Sequence, residues 1–222
     1  HGIVELTLKA LQKGFALICD QLWTARSTNQ GVTMQAEFKL TLPPLTEANA
    51  DAIAAERMRA AQAGFGLVPN MYGVMANSPG LLDAYVHGYE RFRALSGFTP
   101  AEQEVVLLAV SRENGCTYCV AAHSFIADRM SGVPAAVTDA IRDGRPIPDA
   151  RLAALHDFTR TMVAKRGLPD KADVSAFLAA GYSERQILEV VLAIAVKTLS
   201  NYANHLFHTP VDGMFAGRAW AG

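Results

Sequence analysis

Residues 97–132 read GFTPAEQEVVLLAVSRENGCTYCVAAHSFIADRMSG, and this stretch decides the fold class. Thr99-Pro100-Ala101-Glu102 places a hydroxyl cap before a proline at the first helical position, with a glutamate three residues after the cap. Such a capping box opens a helix, here one that carries the apolar run Val105 to Val110. Gly115 interrupts the run, and a second helix is expected from near Cys116 to about Met130, where Ser131, Gly132 and Pro134 stop it.

The same grammar extends in both directions. Residues 47–63 read as an alanine-rich helix, and Ser78-Pro79 starts another that runs to about Leu95. Residues 149–165 read as a helix closed by Gly167 and Pro169, Asp170 caps one ending at Gly181, and Ser183 to Gln186 forms a further capping box. Strand-like alternation is nearly absent, so the expected fold class is all-α. Residues 1–33 show no sustained helical period and the chain opens on His1, so they are expected to be an upstream or non-native extension, with a single helical domain over residues 34–222.

An 85-residue offset relates Glu104-x11-Cys116-x2-Cys119-x3-His123 to Glu189-x11-Asn201-x2-Asn204-x3-His208. Val105, Val106 and Leu107 match Val190, Val191 and Leu192, and Gly97-Phe98-Thr99 matches Gly181-Tyr182-Ser183. These matches read as an internal duplication in which one copy holds sulfurs and the other asparagines. Glu189, Asn201, Asn204 and His208 are accordingly expected to be structural.

Composition narrows the chemistry. Lys and Arg number 20 against 21 Asp and Glu, without runs, which leaves no footprint for nucleic acid or an anionic membrane. The longest apolar stretch, Ile187 to Val196, contains Glu189 and falls far short of the roughly 20 residues a membrane-spanning helix needs. A brief apolar run, Gly14 to Cys19, lacks a cleavage site and is not read as a secretory signal. Three cysteines, two of them three apart, suit a cytoplasmic redox or metal site better than a disulfide-stapled scaffold.

On a helix, positions i, i+3 and i+7 share a face, so Cys116, Cys119 and His123 line one stripe at a helix start. A thiol with an ordinary pKa of about 8.5 is mostly protonated at neutral pH. The helix start favours the thiolate, and His123 is the nearest base or proton relay. Glu104, set among apolar residues of the preceding helix, can orient that imidazole and take its proton. Two sulfurs this close can also pair once one is oxidised. Two other readings stand beside this one: both thiols as small buried hydrophobes, or a zinc site of Cys116, Cys119, His123 and Glu104. A thioredoxin-like fold is disfavoured because helices flank the motif.

The segment Glu104-x11-Cys116-Thr117-Tyr118-Cys119-x3-His123 resembles the alkylhydroperoxidase D-like (AhpD-like) proteins of the carboxymuconolactone decarboxylase superfamily. The likeness is most specific over residues 97–131 and extends through the helical layout over about 60–215. It implies an all-α homo-oligomer, a trimer or hexamer, that reduces organic hydroperoxides with electrons from a dithiol such as a lipoylated partner protein, and it calls for no bound cofactor or metal. By the resemblance Cys119 attacks the peroxide, Cys116 resolves, and Glu104 and His123 relay the proton. The family's best-known peroxidases carry a histidine where this chain has Tyr118. Members lacking both cysteines include a decarboxylase, so keeping both argues for redox chemistry; a slow redox switch or a non-redox enzyme of the superfamily are the alternatives. Tyr118 and Tyr202 read as packing residues, as do Phe65, Met71, Tyr72 and Met75, with a substrate-facing wall the sharper option for the last four. His87 and His156 receive no role.

Overall fold

The computed structural model describes residues 36–222, so the expectation for residues 1–33 lies outside the described residues. Within them the chain forms α1 (Ala52–Phe65), α2 (Asn70–Met75), α3 (Pro79–Leu95), α4 (Pro100–Glu113), α5 (Thr117–Arg129), α6 (Ala135–Asp143), α7 (Ala150–Ala164), α8 (Lys171–Ala179) and α9 (Glu184–Phe207), then a 3₁₀ turn over Gly213–Arg218. Among the described residues there is no strand, as the sequence leads one to expect.

The caps set the boundaries. Thr99 and Glu102 form the capping box at α4, Ser183 and Gln186 do so at α9, and Asp170 with Asp173 makes a third at α8. The first helix begins later than expected, because Thr46 and Asn49 close a separate turn and Asp51 is the residue whose carboxylate accepts from Ile53 N, at 2.9 Å. Pro134 both ends the loop after α5 and precedes the first turn of α6, a helix the sequence reading did not include. The short α2 was also unexpected; six residues are too few to show a period.

From Glu102 to Ser111 every residue of α4 is buried, which explains why its apolar run has no polar face: α5, α6, α7 and α9 surround it. Two apolar clusters result. One gathers Phe92, Val105 to Leu108, Leu155, Phe158, Phe177 and Tyr182, with Phe177 stacked between Phe158 and Tyr182 at ring-centre distances of 4.3 and 4.7 Å. The other joins Met58, Met75, Leu82, Tyr85 and Val196 to Cys116, Tyr118 and Cys119. The long α9 crosses both, giving Val190 and Ala193 to the first and Val196 and Ala203 to the second.

The two 85-residue-related stretches fold differently. The first breaks at Gly115, whose φ of 68° turns the chain back so that α5 packs on α4. Its counterpart, Ser200, lies inside one unbroken helix, so the second stretch runs straight across the first instead of repeating the hairpin.

Candidate active site

Cys116 is the N-cap of α5, with φ −83° and ψ 98°, and its sulfur accepts a hydrogen bond from Cys119 N–H at 3.4 Å. One turn on, Cys119 faces α9: Asn204 Nδ2 donates to its Sγ at 3.3 Å, and Ser200 Oγ lies 3.9 Å away. Both thiols are free and buried. A further turn along α5, His123 Nδ1 meets Glu104 Oε2 at 2.8 Å, and Glu104 is itself held by Arg93 through the other oxygen. The four residues singled out in the sequence therefore converge, across the α4–α5 hairpin that Gly115 permits.

The residue that sequence reading missed is Lys197. It is 1% exposed, and its Nζ lies 2.9 Å from His123 Nε2. Glu104 is held below the usual carboxylate range: burial opposes this, but His123 and Arg93 outweigh it. As an ionised carboxylate it only accepts, so the Nδ1 proton belongs to His123, and Nε2 must accept from Lys197. Burial and the neighbouring ammonium push the His123 pKa down against the pull of Glu104, which keeps the imidazole neutral. The expected relay thus has another member: the nitrogen a thiol proton would reach already holds a lysine.

The two sulfurs compete for the negative charge. The helix start and one long backbone hydrogen bond favour Cys116. Burial opposes a charge on Cys119, but the Cys116 thiol, Lys197, His123 and Asn204 together pull its pKa well below the ordinary thiol value. Burial, and the shared proton with Cys119, push Cys116 well up. Side-chain donors and a nearby cation outweigh one amide, so the surroundings favour the negative charge on Cys119 and the proton on Cys116.

Cys119, His123 and Lys197 open onto a cavity of about 680 Å³; Cys116 does not line it. Phe65, Met71 and Tyr72 contribute to its wall, whereas Met75 is fully buried in the core. Tyr118 also lines it, with its hydroxyl donating to Asp212 Oδ2 at 2.5 Å, while Tyr202 is 55% exposed and lies elsewhere. Asp212 in turn accepts from Asn70 N–H, at 3.1 Å, tying the carboxyl-terminal segment over the site. Zinc does not suit this geometry: both His123 nitrogens are engaged, Glu104 is spent on Arg93 and His123, and among the described residues no three His, Cys, Asp or Glu side chains converge as a metal requires.

The second copy serves the first. Asn204 touches Cys119, and Asn201 Oδ1 accepts from Asn114 Nδ2 at 2.9 Å next to the Gly115 turn. Glu189 and His208 sit near opposite ends of α9 and do not meet; Glu189 lies 3.6 Å from Arg185, and His208 Nε2 is 2.7 Å from the Ala36 carbonyl. Lys197, Asn201 and Asn204 recur at i, i+4 and i+7, and that stripe was the available signal for Lys197.

The sequence pattern of the Carboxymuconolactone decarboxylase family matches residues 79–156, which span α3 to the middle of α7 and hold all four motif residues. This chain has the AhpD-like fold. The AhpD core of an uncharacterised peroxidase-related protein from Ralstonia eutropha JMP134 superposes with a TM-score of 0.70 at 24% identity, over 78% of this chain and 93% of that one. A peroxidase-related protein from Silicibacter sp. TM1040 gives 0.68 at 22% identity, over 85% and 99%. The debrominase Bmp8, as a cysteine-to-alanine variant in complex with 2,3,4-tribromopyrrole, gives 0.66 at 18% identity, over 81% and 96%. No curated protein matches the sequence. At these identities the likeness establishes the AhpD-like fold, and the chemistry has to be argued from the site.

Proposed function

We propose that this AhpD-like protein is a thiol-dependent peroxidase that reduces organic hydroperoxides through Cys119 and Cys116. The observation that carries the reading is the asymmetry of the pair: the sulfur that opens onto the apolar cavity is the one surrounded by donors and a cation, and its partner is a protonated thiol behind it. Cys119 Sγ attacks the terminal peroxide oxygen, the O–O bond breaks, and an alcohol leaves behind a sulfenic acid. Cys116 then displaces water to form the disulfide. A dithiol reductant, such as a lipoylated protein, returns two electrons and two protons. Glu104 keeps His123 in one tautomer and orientation, so the electrostatics around Cys119 are fixed before substrate arrives.

A cytoplasmic setting would keep the dithiol reduced between turnovers, and among the described residues no helix is long and apolar enough to cross a membrane. Assembly into a trimer or hexamer would cover Leu188, Val191, Tyr202 and Leu206, which lie exposed along α9.

The test is a thiol titration before and after one equivalent of cumene hydroperoxide, with mass spectrometry to place any disulfide. Rapid loss of both thiols with a Cys116–Cys119 bond is expected, and Cys119→Ser should abolish turnover with a dithiol. Inert thiols, or an activity that survives Cys119→Ser, would overturn the peroxidase. One oxidation without turnover would mean a redox switch.

The likeness to a debrominase favours a second reading of the same groups. A thiolate facing an apolar cavity beside a proton donor can take bromine from an electron-rich ring: the S–Br bond forms, the ring carbon is protonated, and Cys116 expels bromide to give the same disulfide. Bromide release from 2,3,4-tribromopyrrole, without reaction toward hydroperoxide, would select it.

A further inference from the structure

We infer that Lys197 is the acid of the reaction, the residue that gives a proton to the alkoxide oxygen as the peroxide bond breaks. This rests on the peroxidase reading and adds the residue that reading leaves without a donor. Splitting an alkyl hydroperoxide expels an alkoxide, a strong base, into a cavity walled by aromatic and methionine side chains. Expelled as a bare anion away from water it is costly, so a proton must arrive as the bond breaks.

His123 cannot supply that proton. Its Nδ1–H is committed to Glu104 and its Nε2 accepts from Lys197, so a neutral ring presents no N–H to the cavity. Arg93 is occupied by Glu104, Tyr89 and Gln103, and does not readily release a proton. The Tyr118 hydroxyl is given to Asp212. Cys116 lies behind Cys119 and off the cavity. The phenols of Tyr72, Tyr85 and Tyr89 also face the cavity, but burial pushes their pKa above the ordinary phenol value and leaves them poor acids. A guanidinium such as that of Arg129 does not readily release a proton. Lys197 remains: it lines the cavity with Cys119, and its ammonium has three N–H groups, of which His123 takes one.

The placement has a structural reason. Lys197 is on the α9 face that Ser200 and Asn204 continue, so the element that presents hydrogen-bonding groups to the sulfur also presents the acid. Among the described residues Lys197 has no carboxylate at its head and a single hydrogen bond, to a neutral imidazole, which for a fully buried lysine is a costly feature for stability alone. A Cys119 thiolate in the same cavity is the compensating charge.

The step balances. Cys119 Sγ bonds the terminal oxygen and loses two electrons, which pass to the O–O bond as it breaks. The alkoxide takes a proton from Lys197 Nζ and leaves as the alcohol, and Lys197 becomes an amine. Condensation of the sulfenic acid with the Cys116 thiol releases water and requires no net proton. The dithiol that reduces the disulfide then brings two protons, one for Cys116 and one for Lys197.

Two oxidants with different leaving groups separate this role from a structural one. Cumene hydroperoxide expels an alkoxide and needs the acid; peracetic acid expels acetate and does not. Single-turnover thiol oxidation is measured for wild type, Lys197→Met and Lys197→Arg with both. In Lys197→Met the cumene hydroperoxide rate should fall about 100-fold further than the peracetic acid rate, the size of a general-acid contribution. Lys197→Arg should restore charge near the sulfur, and with it the peracetic acid rate, while leaving the selective loss largely in place. Far-ultraviolet circular dichroism and a cooperative thermal transition show that each variant is folded. Equal slowing toward both oxidants, or no slowing, would overturn the inference while leaving the peroxidase standing. A wild type inert to both oxidants would overturn the peroxidase and the inference together.

Discussion

At the scale of the residue, the site separates two jobs that chemically identical side chains could have shared. Cys119 faces the cavity and its donors, and Cys116 caps the helix behind it. If so, Cys116→Ser should halt the cycle after its first step. One equivalent of hydroperoxide should then yield a Cys119 sulfenic acid that a dimedone trap captures, seen as a single adduct by mass spectrometry; the absence of an adduct on Cys119 would contradict the assignment. Glu104 bears on stability as well as orientation, since it alone is placed between Arg93 and His123. Glu104→Gln leaves a largely buried guanidinium without its counter-charge, which should cost about 3 kcal/mol in denaturant unfolding. A double variant that adds Arg93→Met should recover part of that loss, because the two changes act on one pair. The sequence made Cys116, Cys119, His123 and Glu104 legible because their spacing alone places the first three on one stripe. Lys197 was not legible in the same way, since its meaning depends on a contact with His123 across 74 residues of chain.

At the scale of the element, capping chemistry carried the boundaries and tertiary packing carried the exceptions. The boxes at Thr99, Asp170 and Ser183 fix helix starts by local hydrogen bonds, which a sequence displays directly. The duplicated spacing was equally visible, yet it could not reveal that the second stretch continues where the first turns. That difference resides in one position, Gly115 with its positive φ against Ser200 inside a helix. How α9 comes close enough to deliver Lys197 depends on another glycine. A Cβ built on Gly88 of α3 would stand 2.7 Å from Val196 Cγ2, next to Lys197 in the chain. Gly88→Ala should therefore push α9 outward, costing about 1–3 kcal/mol as overpacking does. The same shift should slow hydroperoxide-driven thiol oxidation although no reacting group has changed. A variant with lowered stability and unaltered oxidation would mean that the α3–α9 approach does not set the position of Lys197.

At the scale of the whole molecule, one buried cluster of ionisable groups imposes a pH dependence on folding. Cys119, Glu104 and His123, with His156 on α7, hold their pKa values below the ordinary ones in the folded state. Unfolded, each binds its proton more readily, so stability falls as pH drops through the ordinary range of each group. For Cys119 that loss begins near pH 8.5, and for the histidines near pH 6.5. Cys116 has the opposite sign: burial raises its pKa, so the stability it contributes is present below about pH 8.5 and is lost as pH rises toward its folded value. The buried phenols of Tyr72, Tyr85 and Tyr89 act in the same direction above about pH 10. The opposing slopes meet, and the unfolding midpoint of the reduced protein should peak near pH 8.5, fall gently toward pH 6.5 and more steeply below it. Cys119→Ser removes the thiolate and should flatten the curve between those two values while leaving the histidine limb intact. Thermal unfolding followed by circular dichroism at several pH values checks this, with dithiol present throughout. A midpoint that climbs as pH falls from 8.5 to 6.5 would mean that Cys119 carries no negative charge in the folded protein, and the chemistry built on that charge would fail with it.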